Sequence, residues 1–362
     1  MNLKIHPAIL EATRLVRDGS VLEATRAIQR ALGGRVAPSA DDPPAAVDPQ
    51  TAEVSTIEGS FREIEQEARC RPAGFSERTY SNAAGSRDYK VYVPSVYSGQ
   101  ALPLVVMLHG CKQDPDDFAA GTRMNALAEH HGFVVVYPRQ SSGENASNCW
   151  NWFQAKHQQR DRGEPSLIAG ITRQAAIEFG SNPRRVYIAG LSAGGAMAAV
   201  MATTYPDVYA AVGIHSGLAH GAALDLPSAL AAMRGERSQR RQRKHRDETS
   251  ARRRVPVIVF HGDNDRTVHP RNGDDLIACA SGAALERAVQ RDRARGREYT
   301  RVIYRDAAGT PVIEQWIVHG AAHAWFGGSA EGSFSDPTGP DASGEMLRFF
   351  FQHESTADST GR

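Results

Sequence analysis

One serine lies where a nucleophile for covalent catalysis would be expected. The pentapeptide 190–194, Gly-Leu-Ser-Ala-Gly, follows an apolar strand-like segment and precedes an alanine-rich, helix-like one. A serine at such a strand-to-helix turn exposes its hydroxyl at the carboxyl edge of a sheet, and glycines two residues away on each side avoid a steric clash across the turn. The helix behind it directs its positive dipole end at the reaction centre. We therefore predict that Ser192 is a nucleophile.

A serine hydroxyl needs a base to remove its proton and an acid to orient that base. In folds with this turn, the acid and then the histidine follow the serine, each in a loop after a later strand. Asp263 and Asp265 share one such loop, and Asp265 is favoured because it lies deeper in the loop. His323 follows a flexible Gly-Ala-Ala turn in another loop and is the favoured base. Three further histidines are poorer candidates for the base: His319, His269 and His353.

The oxyanion formed during acyl transfer needs two backbone N–H donors. One is predicted at Ala193, directly after the nucleophile. The other is predicted at Cys111, in the loop that follows the apolar segment 102–109, where Gly110 permits the turn. Cys111 and Cys149 could form a disulfide near the site, although free thiols are the default in a reducing cytosol. Both states stay open.

Aromatic residues accompany these candidates. Trp150 and Trp152 lie in the dense segment 148–153, and Trp325 comes two residues after His323. These rings could form an apolar wall for the acyl chain, because ligand pockets favour aromatic lining. They could equally be packed against the core. We predict substrate contact for all three and keep packing as the alternative.

Strand-like and helix-like segments alternate along most of the chain, which predicts a mostly parallel sheet with helices on both faces. The predicted strands are 87–93, 102–109, 133–137, 185–189, 209–214, 255–260 and 312–318; the predicted helices are 116–131, 166–179, 193–204 and 341–351. The expected organisation is an N-terminal helical pair (1–34), a Pro/Ala-rich linker (35–57) and a catalytic domain (58–355) with a basic, disordered insertion (234–254).

Composition limits the classes of partner. The 362 residues carry a formal net charge of +1, so no global field draws the protein to nucleic acid. No apolar run reaches the length of a membrane span, and no secretory signal is evident, so we expect a cytoplasmic protein. Neither a metal-binding nor a nucleotide-binding motif is present, and no cofactor is expected. The N-terminal helices could brace the catalytic domain, contact a hydrophobic surface or mediate self-association.

Several ordered motifs between about residues 70 and 350 resemble those of the poly(3-hydroxybutyrate) depolymerase family of esterases, which includes feruloyl and acetylxylan esterase-like members. The motifs are 109–113 (HGCKQ), 132–138 (GFVVVYP), 148–153 (NCWNWF), 190–197 (GLSAGGAM), 215–217 (HSG) and 261–265 (HGDND). The resemblance implies an α/β-hydrolase fold with Ser192, Asp265 and His323 as the triad.

The expected function is therefore serine-dependent hydrolysis of poly- or oligo(3-hydroxybutyrate)-type esters. A feruloyl or acetyl esterase acting on small or plant-derived esters is the near alternative. A serine peptidase and a non-catalytic binding protein are more distant ones.

Overall fold

A ten-stranded sheet forms the centre of the described chain. The computed structural model describes residues 74–236, 254–281 and 285–355. The predicted helical pair at 1–34, the linker at 35–57 and most of the basic insertion at 234–254 lie outside these residues, so those predictions stay untested.

The strands of the large sheet are β1 (Gly74–Asn82), β2 (Gly85–Val93), β3 (Leu104–Leu108), β4 (Val134–Pro138), β5 (Val186–Leu191), β6 (Ala211–His215), β7 (Val257–Gly262), β8 (Glu286–Ala294), β9 (Arg297–Arg305) and β10 (Pro311–Val318). Two short strands, β11 (Trp325–Phe326) and β12 (Ser335–Asp336), form a separate parallel pair. The helices are α1 (Pro115–Thr122), α2 (Met124–His131), α3 (Gly163–Glu178), α4 (Ala193–Thr204), α5 (Leu226–Met233), α6 (Arg271–Ala280) and α7 (Ala342–Phe350), with a 3₁₀ turn at Ala155–Gln158.

The large sheet has a parallel centre and antiparallel edges. Its strand order is β1-β2-β4-β3-β5-β6-β7-β10-β9-β8. The pairings from β4 to β10 are parallel, whereas β1 and β2 at one edge and β9 and β8 at the other pair antiparallel. The predicted parallel arrangement is thus confirmed for the central strands only. The antiparallel edges were not expected from the sequence.

Helices cover both faces of this sheet, as predicted. All five residues of β3 are buried, and alternate side chains enter different apolar clusters. Leu104 and Val106 pack in one cluster with Ile168 of α3 and Met197 of α4. On the opposite face, the second cluster joins the other β3 side chains to helices α1 and α7. A continuous apolar strand is the pattern expected of a parallel strand covered on both faces.

The helix predicted over 116–131 is two helices instead of one. Arg123 between α1 and α2 adopts a left-handed backbone with φ of 56°, and its N–H caps α1 by donating to the Ala119 carbonyl. The chain therefore changes direction within a segment whose composition suits a continuous helix.

Strands β5, β7 and β10 run parallel, and the segments after them hold the predicted serine, acid and histidine. Because the carboxyl ends of parallel strands meet at one edge of the sheet, the topology brings these three segments to the same edge.

Candidate active site

Ser192 occupies a strained turn between β5 and α4. Its φ of 57° and ψ of −117° are unfavourable for any residue with a side chain, so the surroundings must hold this conformation. The Ser192 N–H donates to the carbonyl of His215, 2.9 Å away. A Cβ atom on Gly190 would lie 2.4 Å from the Gly194 backbone, and one on Gly194 would lie 2.1 Å from the Leu108 carbonyl oxygen. The turn therefore requires glycine at both positions.

Asp265 and His323 form a buried hydrogen-bonded pair at the same sheet edge. His323 Nδ1 lies 2.6 Å from Asp265 Oδ2, and the Asp265 side chain is fully buried. The other carboxylate oxygen accepts the N–H groups of Thr267 and Val268, each at 2.8 Å. Burial alone would raise the pKa of Asp265, but the hydrogen bonds from His261 and His323 outweigh it and hold this pKa well below its usual range. Asp265 is therefore an ionised acceptor.

The pair fixes which ring nitrogen of His323 carries the proton when the imidazole is neutral. A carboxylate can only accept, so His323 Nδ1 carries the proton and Nε2 of the neutral ring has a lone pair available. Ser192 is partly exposed and the His323 side chain is 10% exposed, so neither residue is fully buried. The structure brings Asp265 and His323 into contact as the sequence predicts. Their catalytic roles stay predictions.

The alternative acid and base form a second pair of their own. His319 Nδ1 lies 2.8 Å from Asp263 Oδ2, and the Gly320 N–H donates to Asp263 Oδ1 at 2.7 Å. The side chain of His319 is 40% exposed and that of Asp263 is 41% exposed. His319 Nε2 already faces the Thr300 hydroxyl at 2.9 Å. This imidazole is therefore engaged at both nitrogens, unlike a base waiting for a substrate proton.

The predicted oxyanion donors flank the serine. Ala193 is the first residue of α4, so its N–H has no acceptor within the helix. A Cβ atom on Gly110 would lie 3.6 Å from Ser192 Cβ, so the loop that carries Cys111 packs directly against Ser192. Cys111 is bonded to Cys149 in a disulfide, which decides between the two thiol states left open by the sequence. The donor roles of Cys111 and Ala193 stay predictions.

A buried polar network behind this loop was not found from the sequence. His109 Nε2 accepts the Gln140 N–H, and the Gln140 side chain donates both to Glu164 Oε1 and to the Cys149 carbonyl. Glu164 also accepts the N–H and the side-chain amide of Asn151. Burial raises the pKa of Glu164 and lowers that of His109 to about 4. No single sequence motif predicts this network, because its members come from four separate segments.

The three tryptophans are more buried than the predicted contact with substrate would require. Trp150 is 0% exposed and Trp325 is 1% exposed, whereas Trp152 is 6% exposed. Trp150 lies beside the ring of His109, and Trp325 stacks on His215 while its Nε1 donates to the Ser343 hydroxyl. These positions favour the packing interpretation. Substrate contact by Trp150, Trp152 and Trp325 stays a prediction that the burial does not support.

Across residues 74–236, 254–281 and 285–355, no group of three or more His, Cys, Asp or Glu side chains could hold a metal ion. Helices in these same ranges are all too short or too polar to cross a membrane.

The sequence of the chain matches the model of a known protein family. A sequence model described as "Esterase PHB depolymerase" matches residues 87–297. The chain belongs to this esterase family. The membership confirms the resemblance inferred from the motifs.

Among relatives of this esterase-family chain is the poly(3-hydroxyalkanoate) depolymerase C of Paucimonas lemoignei, 32% identical over 248 residues that cover 64% of this chain and 57% of that protein. The chain thus spans little more than half of that depolymerase. Feruloyl esterase B of Neurospora crassa is 28% identical over 242 residues, covering 63% of this chain and 80% of that protein. The structure of an acetyl xylan esterase from Aspergillus awamori superposes with a TM-score of 0.61 at 19% identity, covering 76% of this chain and 99% of that one. This structural likeness supports the α/β-hydrolase fold.

Proposed function

We propose that the protein is a serine carboxylic-ester hydrolase that uses Ser192, His323 and Asp265. One observation carries the proposal: a fully buried carboxylate holds an imidazole at 2.6 Å, at the sheet edge where Ser192 is forced into a positive φ. Membership of an esterase family supports the same chemistry.

The residues divide the reaction between them. Ser192 Oγ attacks the ester carbonyl while His323 Nε2 accepts its proton, and the N–H groups of Cys111 and Ala193 stabilise the oxyanion. Collapse of this intermediate expels the alcohol, which takes the proton from His323, and leaves an acyl-enzyme. Water then attacks the acyl group by the same route. Asp265 orients the imidazole and stabilises its protonated form.

For the substrate we propose poly- or oligo(3-hydroxybutyrate)-type esters, with the Paucimonas depolymerase as support. Feruloyl or acetyl esters are the second candidate, supported by the Neurospora relative, of which a larger share is matched. The two classes differ in the acyl part: an aliphatic hydroxy acid in one, and an aromatic acid or acetate in the other.

A substrate panel tests both levels of the proposal. Oligo(3-hydroxybutyrate), polymer film, a feruloyl ester, acetylated xylan and a short p-nitrophenyl ester would be compared at equal enzyme concentration, with Ser192→Ala as the blank. We expect hydrolysis of the p-nitrophenyl ester by the native chain only, and the highest kcat/KM on the hydroxybutyrate oligomer. A higher kcat/KM on feruloyl or acetyl esters would show that these esters, the second candidate, are the preferred substrates. Absence of Ser192-dependent hydrolysis on every ester would overturn the proposal.

The disulfide bears on the cellular location of the protein. Disulfides persist in oxidising compartments and are rare in the cytosol, so the Cys111–Cys149 bridge argues for an oxidising compartment instead of the cytoplasm expected from the sequence. We propose such a compartment. Fractionation of cells that express the native gene, followed by immunoblotting, would decide; recovery in the cytosol alone would restore the original expectation.

A further inference from the structure

His215 connects the two loops that carry the nucleophile and the base. It ends β6, between β5 and β7, and is 0% exposed. Its main-chain carbonyl accepts the Ser192 N–H at 2.9 Å, and its imidazole Nε2 accepts the Phe326 N–H at 3.2 Å. Phe326 follows His323 by three residues in the loop of the base. One residue thus contacts both halves of the site without lying on the surface that a substrate would touch.

The hydrogen bonds fix the tautomer of this imidazole. A backbone N–H can only donate, so His215 Nε2 is unprotonated and Nδ1 carries the proton toward the Ser216 hydroxyl, 3.2 Å away. Burial holds the pKa of His215 well below its usual value; nearby His261 and His323 act in the same direction, and Asp265 opposes them. Protonation of His215 Nε2 would place its N–H against the N–H of Phe326, and neither group could accept. The ring therefore serves as a neutral acceptor.

Aromatic packing fixes the ring as well. The His215 imidazole stacks on Phe260 and Trp325, with ring centres 5.7 and 5.0 Å away, and lies 4.5 Å from the ring of Phe326. Trp325 is itself anchored by its hydrogen bond to Ser343. The direction in which Nε2 accepts is therefore set by a rigid environment. This packing also explains why Trp325 is buried.

We propose that His215 is a positioning residue for the ester hydrolysis, which holds the loop of His323 in register with the turn of Ser192 through the Nε2···H–N bond to Phe326. The inference rests on the proposed function. It is a mechanical role: a displacement of about 1 Å between reacting groups can lower a rate by about 100-fold. The role depends on a contact between segments that are far apart in the chain.

Three substitutions at His215 isolate the imidazole contact, since the main-chain bond to Ser192 survives each of them. His215→Leu removes the acceptor, His215→Asn keeps a polar group too short to reach Phe326, and His215→Gln places an oxygen near the position of Nε2. His353→Leu is the matched control, because His353 is a buried histidine at the amino edge of the sheet, where its carbonyl accepts the Tyr187 hydroxyl.

The readouts are kcat and KM on a soluble p-nitrophenyl ester, the rate at which a fluorophosphonate labels Ser192, and the melting temperature. We expect His215→Leu and His215→Asn to lower kcat and the labelling rate together by about 10- to 100-fold with little change in KM. His215→Gln should recover most of the loss. His353→Leu should leave kcat within about two-fold, because distant sites act independently.

Wild-type kcat and labelling in folded His215→Asn would overturn the inference, as would equal losses in the Asn and Gln variants. If His215→Leu does not fold, the Asn and Gln comparison still decides. Failure of the proposed function is distinguishable, because it would appear as the absence of any Ser192-dependent hydrolysis, whatever the His215 variants do.

Discussion

The same two loops carry two carboxylate–imidazole pairs, which differ in burial and in their hydrogen bonds. Asp265 is fully buried and leaves His323 Nε2 available, whereas Asp263 and His319 are about 40% exposed and His319 Nε2 faces Thr300. The hydrogen-bond lengths are similar, at 2.6 and 2.8 Å. Distance alone therefore does not identify a catalytic pair. Burial of the acid and an available second nitrogen are what distinguish the pair that we propose for catalysis.

The largest difference is expected between the two histidines. His323→Ala should lower kcat by roughly 10⁵-fold, because the serine then has no base. His319→Ala, which removes an exposed contact, should stay within about three-fold of the native enzyme. Steady-state hydrolysis of a p-nitrophenyl ester measures both. A greater loss in His319→Ala than in His323→Ala would reverse the assignment of the base.

The two acids should differ nearly as much. Asp265→Asn should lower kcat by about 10⁴-fold, because the amide favours the wrong imidazole tautomer. Asp263→Asn should have a mild effect, since the pair it belongs to is about 40% exposed. Both variants would be assayed on the same ester with circular dichroism as a check on folding. The reverse order of losses would show that Asp263 is the acid.

A smaller effect is expected from the Cys111–Cys149 disulfide in the loop that packs against Ser192. Replacing Cys111 and Cys149 together by serine should lower kcat about ten-fold, because the predicted Cys111 donor loses one of its supports in a loop that must hold it to within about an ångström. Cys279 lies outside the bridge, so Cys279→Ser is the control and should be unaffected. Full activity in the double variant would remove the disulfide from the account of the site.

The smallest effect is a pH dependence of stability. The pKa of Asp265 is lowered in the folded protein, so its contribution to stability is complete above its unfolded pKa of about 4 and is lost as the pH falls below that value. The melting temperature of the native chain should therefore fall more steeply between about pH 5 and pH 2 than that of Asp265→Asn. Asp263→Asn is the comparison and should retain the steep fall. Parallel curves for the native chain and Asp265→Asn would contradict the lowered pKa.

Much of the central fold could be predicted because burial leaves a pattern in the sequence. The β3 run is apolar throughout, and α4 begins and ends where the alanine-rich segment predicts. The β8–β9 hairpin could not be found in this way. The β8 sequence ERAVQRDRA is mostly exposed and charged, so the strand has no apolar face to mark it. Its pairing at the sheet edge depends on backbone hydrogen bonds with β9.

The candidate site could likewise be predicted from the sequence only in part. Ser192, Asp265 and His323 could be selected because each lies in a recognisable loop after a strand. The exposure that separates Asp265 from Asp263 could not be read from two residues so close in one loop. The contact between His215 and Phe326 joins segments far apart in the chain. No local sequence pattern predicts this contact.

The central claim is that Ser192 is a nucleophile activated by the Asp265–His323 pair. The most direct measurement is the rate at which a fluorophosphonate labels the protein, with the modified residue located by peptide mass spectrometry. We predict a single adduct on Ser192, which forms rapidly in the native chain and in His319→Ala, and at least about 1,000-fold more slowly in His323→Ala. Labelling at another residue, or rapid labelling of Ser192 in His323→Ala, would contradict the account.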